Sequence, residues 1–99
     1  MTEEYLSNNT DNAVSIACFL EELIRKLDDV EFAKIMEVFR MLMRVYDFSM
    51  DCRCVCQYTN GELYGAIELD DLSLVVFNYN NGVLRHVLIP IDIVKRIIK

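Results

Sequence analysis

Three cysteines at alternate positions, Cys52, Cys54 and Cys56, are the residues of this chain whose type and spacing could do chemistry. Thiolates bind zinc and other soft metals, and they act as nucleophiles or redox groups. Zinc sites, however, usually use cysteines separated by two to four residues in a turn, where two thiolates converge on one ion. In a strand these side chains would stand roughly 7 Å apart along one face, too far for a shared tetrahedral centre. The spacing therefore predicts core thiols and no cofactor, with a metal or thiol function as the alternative.

The dipeptide Asn60-Gly61 indicates which neighbours these thiols have. Both loop residues of a type I′ hairpin need positive φ, which Asn and Gly tolerate best, so the pair predicts a two-residue loop. The resulting register pairs Thr59 with Glu62, Cys56 with Gly65, Cys54 with Ile67, Arg53 with Glu68 and Cys52 with Leu69. Apolar residues then share the cysteine face, and an Arg53–Glu68 ion pair is expected on the other. Cys18 is expected in the core as well, because free cysteine is commonly buried.

Two helices are predicted before this hairpin. Apolar residues at helical spacing predict the first over about 11–27 and the second over about 29–46. Asp28 and Glu31 form a capping-box pattern at the start of the second helix. Besides its main apolar stripe, that helix carries a second stripe, which comprises Val30, Ala33, Val38, Met41 and Val45. A helix that is apolar on nearly all sides should be buried within the domain or against another chain.

Two further strands and a closing helix are predicted after the hairpin. Asp70-Asp71 and Asn81-Gly82 are the expected reversals, Pro90 ends the last strand, and Asp92 should cap the final helix. Residues 1–99 are therefore predicted to form a single α+β domain with the element order α-α-β-β-β-β-α. A polar N-terminal arm at 1–10 precedes two helices within 11–46. A four-stranded antiparallel meander within 51–89, with the helices packed on it, is followed by a short C-terminal helix at 92–99.

A second apolar face of the sheet is expected if Asp70-Asp71 is a two-residue loop. The cysteine face would then continue into Leu72, Leu74, Val76, Val87 and Ile89. The residues of the opposite face that form the predicted apolar interface are Tyr64, Val75, Phe77, Tyr79, Leu84, His86 and Leu88. A monomer seldom leaves so large an apolar patch in water, so a helix, a second copy or a different protein should cover it. This pattern favours binding over catalysis.

The net charge of −6 is unevenly distributed along the chain. Residues 1–71 carry a balance of −9, and residues 72–99 carry a balance of +3. An acidic chain is unsuited to direct nucleic-acid binding, which depends on Lys and Arg neutralising phosphates, but it suits a protein partner with a basic surface. The acidic residues predicted to contact such a partner are Asp28, Asp29, Glu31, Glu62, Glu68, Asp70 and Asp71. Acidity that serves only solubility is the alternative.

No catalytic residue is predicted, and the chain is not expected to be an enzyme. His86 is the only histidine, and no Ser, Cys or carboxylate stands near it at catalytic spacing. Asp70 and Asp71 are typical turn residues, and the three glycines form no phosphate-binding loop. No stretch reaches the roughly 18 to 20 apolar residues of a membrane span, and the acidic N-terminus differs from a signal peptide. A cytoplasmic protein without membrane contact is expected.

These patterns favour a small, acidic, non-enzymatic protein-binding module. Chains of this kind include phage or mobile-element inhibitors of a host nucleic-acid-binding protein, and immunity-type proteins, which need only a complementary shape and charge. The alternative is a constitutive homodimer that acts as an adaptor or as a secretion-type chaperone, with an apolar sheet face or helix stripe as its interface. A thiol or metal protein is the third hypothesis.

Overall fold

Residues 13–98, which the computed structural model describes, form five strands and three helices. The elements are β1 (Val14–Ser15), α1 (Ile16–Lys26), α2 (Asp29–Tyr46), β2 (Arg53–Thr59), β3 (Glu62–Glu68), β4 (Leu74–Asn80), β5 (Val83–Ile89) and α3 (Ile91–Ile98). The strands form one antiparallel sheet in the order β1-β2-β3-β4-β5. The α+β class is thus confirmed, but the predicted four-stranded meander is wrong by one strand.

The additional strand, β1, lies where the sequence predicts the first helical turn. Val14 and Ser15 pair with the start of β2, and α1 begins only at Ile16. Ser15 is the N-cap, since its side-chain oxygen accepts a hydrogen bond from the Cys18 amide at 3.1 Å. The Ile16 amide donates to the Cys52 carbonyl at 3.0 Å, which ties the helix to the sheet. The prediction that residues 13–15 belong to the first helix is therefore wrong. Residues 11 and 12, the first two of the predicted helix, lie outside the described range.

Helix α2 has the bounds that the sequence predicts. Asp28 caps it by accepting a hydrogen bond from the Glu31 amide at 2.8 Å, and Asp47 ends it with a positive φ of 55°. Its buried residues are Ile35, Val38, Phe39 and Leu42, and they pack on the cysteine face of the sheet. The second apolar stripe is only partly covered, because Val30 and Val45 are 67% and 59% exposed.

Both Asn-Gly loops adopt the predicted hairpin geometry. The φ angles are 54° and 80° at Asn60-Gly61, and 54° and 77° at Asn81-Gly82, as a type I′ turn requires. The ladder between β2 and β3 runs from the pair Cys54–Ile67 to the pair Thr59–Glu62. The predicted register is therefore confirmed for Thr59–Glu62, Cys56–Gly65 and Cys54–Ile67, whereas the predicted pairs Arg53–Glu68 and Cys52–Leu69 lie beyond the end of the ladder.

The ion pair expected between Arg53 and Glu68 does not form. The ladder between β2 and β3 ends at the pair Cys54–Ile67, so Arg53 and Glu68 are not paired across the strands. The ion pairs of the described residues are those of Glu37 with Arg40 and Arg44, on the exposed surface of α2. Pairs of this exposed kind contribute little to stability.

The connection between β3 and β4 differs from the two-residue turn predicted at Asp70-Asp71. It spans 69–73, and Leu72 takes a positive φ of 69°. The Ser73 amide donates to the Asp71 carboxylate at 3.0 Å. The longer loop shifts β4 by one residue, so that Glu68 pairs with Leu74. Because side chains alternate along a strand, this shift moves every side chain of β4 and β5 to the other face.

The shift reverses the predicted faces beyond β3. The residues that lie on the helix-covered face instead of an open one are Val75, Phe77, Tyr79, Leu84, His86 and Leu88. The residues that lie on the opposite face instead of the cysteine face are Leu74, Val76, Val87 and Ile89. On that opposite face Val94 of α3 is buried against Leu74. The prediction of an extended apolar face that needs a partner is therefore wrong, because most of that face is the core under α1 and α2.

The closing helix begins earlier than predicted. Helix α3 starts at Ile91, and the Pro90 carbonyl accepts hydrogen bonds from the amides of Ile93 and Val94 at 3.0 Å. Asp92 lies in the first turn instead of capping the helix. There the carboxylate still interacts favourably with the positive end of the helix dipole.

Candidate protein-interaction surface

Strand β5 is the long edge of the sheet in residues 13–98. All its residues from Val83 to Ile89 pair with β4, and no strand of the described chain lies beyond it. On the opposite side β1 comprises only Val14–Ser15 and pairs with Arg53 and Cys54, so that edge is stepped between β1 and β2. Proteins commonly protect edge strands by making them short or by placing charged side chains, especially Lys, or Pro or a bulge in them. β5 is seven residues long with Arg85 as its one permanent charge and no Lys or Pro, and no strand of residues 13–98 pairs with its outer side.

The backbone groups that face outward from β5 belong to Leu84, His86 and Leu88. In a two-residue hairpin the residues that flank the loop exchange both of their backbone hydrogen bonds, here Asn80 and Val83. Every second residue from Val83 onward therefore bonds to β4, and the residues between them direct their N–H and C=O groups away from the sheet. We call these outward groups and the strand's exposed side chains the β5 edge.

The side chains of the β5 edge are largely apolar and accessible. Val83 and Val87, which lie on the same face as α3, are 52% and 56% exposed. Leu88, which lies on the face covered by α1 and α2, is 41% exposed, and Leu84 is half-buried. Arg85 is the single permanently charged residue of the strand. An edge with exposed apolar residues on both faces is suited to contact with another protein.

The C-terminal end of α2 is fixed over the middle of β5. The Tyr46 hydroxyl and Nδ1 of His86 are joined by a hydrogen bond of 2.6 Å, and the two rings are perpendicular with centroids 5.4 Å apart. Val45, the preceding residue of α2, is 59% exposed. The contact orders the His86 side chain and leaves Leu88 beside it uncovered.

The predicted apolar interface is only partly accessible. Val75 and Phe77 are 0% and 3% exposed, because α2 covers them, and Tyr79 is half-buried. Tyr64 lies on the opposite face, where its hydroxyl donates to the Gln57 side chain at 2.7 Å. The members that lie at the surface of β5 are Leu84, His86 and Leu88.

The sequence pattern does not predict that Val83, Val87 and Val45 are exposed. Val83 and Val87 are β-branched residues in the last strand before Pro90, and Val45 belongs to the second stripe of α2. The only available signal is that β5 is the final strand of a meander, because the last strand of a meander becomes an edge.

The predicted acidic residues lie at two opposite ends of the sheet. Asp28, Asp29 and Glu31 are exposed at the start of α2, where Glu31 accepts a hydrogen bond of 2.9 Å from the Tyr58 hydroxyl beside the Asn60-Gly61 loop. Asp70 and Asp71 lie in the loop at the other end of β3. A seven-residue strand separates the two ends by roughly 20 Å. The acidic residues therefore do not form one continuous contact surface.

Several acidic side chains have structural partners. Glu62 accepts a hydrogen bond from the side-chain amide of Asn78 on the α3 face, and Asp71 holds the backbone of the buried Ser73. Burial and the nearby Glu31 carboxylate raise the pKa of Tyr58, so its hydroxyl remains protonated as the donor. The acidic residues at the surface that are least involved in such contacts are Asp29 and Asp70.

The cysteines of β2 lie where the hairpin register predicts. Cys54 is 2% exposed, and Cys52 and Cys56 pack half-buried against the same core. The thiol–thiol hydrogen bond lowers the pKa of Cys54, and the same bond together with burial raises the pKa of Cys56. Cys18, by contrast, is exposed, and its predicted core position is wrong. The buried stripe of α1 begins at Ile16, and a residue two positions later points away from it.

Potential metal ligands do not converge in the part of the chain that the structure describes. No three His, Cys, Asp or Glu side chains between residues 13 and 98 are grouped so that they could hold one ion. No helix in the same range is long and apolar enough to cross a membrane.

Comparison of the chain with protein-family models, with curated proteins and with solved structures found no match.

Proposed function

We propose that this chain is a small, non-enzymatic protein-binding module whose contact surface is the β5 edge. The observation that carries the proposal is a seven-residue edge strand with no strand of residues 13–98 on its outer side and with Val83, Val87 and Leu88 exposed. In strand addition, an extended segment of a partner pairs with such an edge. The backbone hydrogen bonds then contribute affinity, and the alternating side chains contribute specificity.

The chemistry of β5 supports this mode of binding. The strand contains no acidic residue although the chain carries a net charge of −6. Arg85 is the one permanent charge that an incoming strand would meet on β5, and the apolar side chains of the strand gain from removal of water. The proposal includes two kinds of partner: a strand of a different protein, or the same strand of a second copy.

The proposal is tested by replacing one apolar residue of the edge with lysine. Leu88→Lys places a charge beside the outward backbone groups without removing a fully buried side chain, since Leu88 is 41% exposed. A partner is first isolated with the unmodified chain and identified by mass spectrometry, and its affinity is then measured by calorimetry with purified proteins. We expect Leu88→Lys to weaken binding by about tenfold or more, which corresponds to ~1.4 kcal/mol.

Ile24→Lys is the matched control for this experiment. Ile24 is an exposed apolar residue of α1, and α1 is tied to β2 at the other side of the sheet, roughly 15 Å from β5. This variant should retain the affinity and the melting temperature of the unmodified chain. Equal loss of binding in both variants, or unchanged binding in Leu88→Lys, contradicts the proposal.

A second candidate function is binding to a basic protein surface through the acidic end of α2. The observation that favours it is the exposure of Asp28, Asp29 and Glu31 together at one helix terminus. An inhibitor of a nucleic-acid-binding protein could occupy the partner's basic surface in this way. Charge of this kind speeds association and makes it sensitive to salt.

Charge reversal at the two ends of the molecule tests the second candidate. We expect Asp29→Lys to weaken binding to a basic partner and to flatten its salt dependence, whereas Asp70→Lys has no such effect because it lies about 20 Å away. Asp70 is the better control than Asp71, whose carboxylate holds Ser73. Association rates are measured by surface plasmon resonance at several salt concentrations. An identical salt dependence for the unmodified chain, Asp29→Lys and Asp70→Lys excludes this acidic contact.

A further inference from the structure

We propose that the occupant of the β5 edge is a second copy of this chain, paired antiparallel about a two-fold axis at His86. This inference rests on the proposed function, because it names the partner of the same edge.

The backbone of β5 has the correct phase for pairing with itself. Its outward groups belong to Leu84, His86 and Leu88, which are symmetric about His86. With the axis there, Leu84 faces Leu88 of the second copy and His86 faces its own equivalent. Each of these pairs can exchange both backbone bonds, which gives about six hydrogen bonds. An axis at Arg85 or Val87 would instead place outward residues opposite the turn or opposite a proline.

The side chains of β5 are compatible with the same axis. On the face covered by α1 and α2, leucine meets leucine. On the other face Val83 meets Ile89 of the second copy, and Arg85 meets Val87. No permanently charged residue therefore lies directly opposite a like charge, which would destabilise a cross-strand pair. The interface is self-complementary, as a two-fold axis requires.

The opposite edge of the described sheet does not offer an equivalent partner. β1 pairs only with Arg53 and Cys54 of β2, so that edge steps from β1 to the remainder of β2, and β5 of a second copy would find no single strand of its own length there. Pairing of β5 with β5 uses the full length of the longer edge and extends one sheet through both copies. It is also a closed arrangement, whereas pairing of β5 with β1 would continue into a filament.

The test exploits the fact that only a residue on the axis faces itself. His86→Asp and His86→Lys each place two like charges opposite one another in a homodimer, whereas an equimolar mixture places opposite charges there. By sedimentation velocity over a concentration series, we expect the unmodified chain to dimerise. Each variant alone should dimerise at least about tenfold more weakly. The mixture should recover the dimer as a heterodimer.

A second pair of variants tests the register at positions away from the axis. In Leu84→Asp/Leu88→Lys the introduced charges face opposite charges across the axis, so this double variant should dimerise. Leu84→Asp/Leu88→Asp should not. Circular dichroism and melting temperature of each monomer show whether the variant is folded, and only folded variants are compared.

The outcomes separate this inference from the proposed function. A monomer at every concentration, or a dimer that His86→Asp leaves unchanged, overturns the two-fold pairing. Failure of the mixture to recover the dimer overturns the axis at His86. The unmodified chain could instead be monomeric and bind a different protein that Leu88→Lys no longer binds. In that case the β5 edge remains the contact surface, and its occupant is that protein.

Discussion

Gly65→Ala is expected to destabilise the protein by about 1–3 kcal/mol or more, although it adds only a methyl group to a strand. Gly65 of β3 lies directly opposite Cys56 of β2. A β-carbon there would be 2.3 Å from the Val55 carbonyl oxygen, 2.7 Å from the Cys56 α-carbon and 2.8 Å from its sulfur. Two of these atoms belong to backbone within the ladder, so the strands must separate to accommodate it. Urea unfolding gives the change in free energy.

The control for this substitution removes the one side-chain atom among the close contacts. In Cys56→Ala/Gly65→Ala the sulfur is absent, but the contacts with the backbone of β2 remain. We expect Gly65→Ala to lower the free energy of unfolding nearly as much in a chain that already carries Cys56→Ala as in the unmodified chain. If the double variant is as stable as Cys56→Ala alone, the thiol, rather than the close approach of the two strands, requires glycine at this position. A change below about 0.5 kcal/mol in Gly65→Ala itself would contradict the prediction.

The elements that the sequence predicted correctly are those with a local chemical signal. Asp28 and the apolar spacing after it define α2, and the positive φ that Asn and Gly tolerate defines both hairpin loops. The connection at 69–73 has no such signal. It places a positive φ on Leu72, a residue that rarely adopts this conformation, and Asp70-Asp71 is compatible with several turns. The one-residue shift that follows was therefore not predictable from the local sequence.

Strand β1 was missed for a different reason. Val14 and Ser15 fit the helical spacing of the residues after them, and their pairing partners are about forty residues further along the chain. A short strand stabilised by such a distant partner leaves no periodic pattern of its own.

The candidate site shows the same distinction between local and distant information. The sequence pattern predicts that Leu84, His86 and Leu88 contact a partner because it assigns them to a wide open face. In the structure that face is the core, and these residues are accessible because β5 is the last strand of the sheet. Edge position depends on the order of all the strands, which alternation within one strand does not contain.

Phe39→Ala is expected to have the largest effect of any single substitution in the core. Phe39 is 0% exposed, and its ring makes edge-to-face contacts with Phe19 of α1 at 6.2 Å and Phe77 of β4 at 5.8 Å between centroids. It therefore joins both long helices to the sheet. Removal of a buried phenylalanine side chain typically costs about 3–5 kcal/mol, against a total stability of roughly 5–15 kcal/mol for a small domain.

The cost of Phe39→Ala should appear as a lower midpoint of urea unfolding, or as loss of the folded state at ambient temperature. Val45→Ala on the same helix is the matched control, because Val45 is 59% exposed and its truncation should change stability by less than about 0.5 kcal/mol. Phe39→Leu retains most of the apolar volume, so it should remain folded, with an unfolding midpoint between those of Phe39→Ala and Val45→Ala. If Phe39→Ala and Val45→Ala have similar unfolding midpoints, α2 does not pack on the sheet through Phe39. In that case the face that carries Phe77 would be open to solvent, and the β5 edge would no longer be the main apolar surface of this molecule.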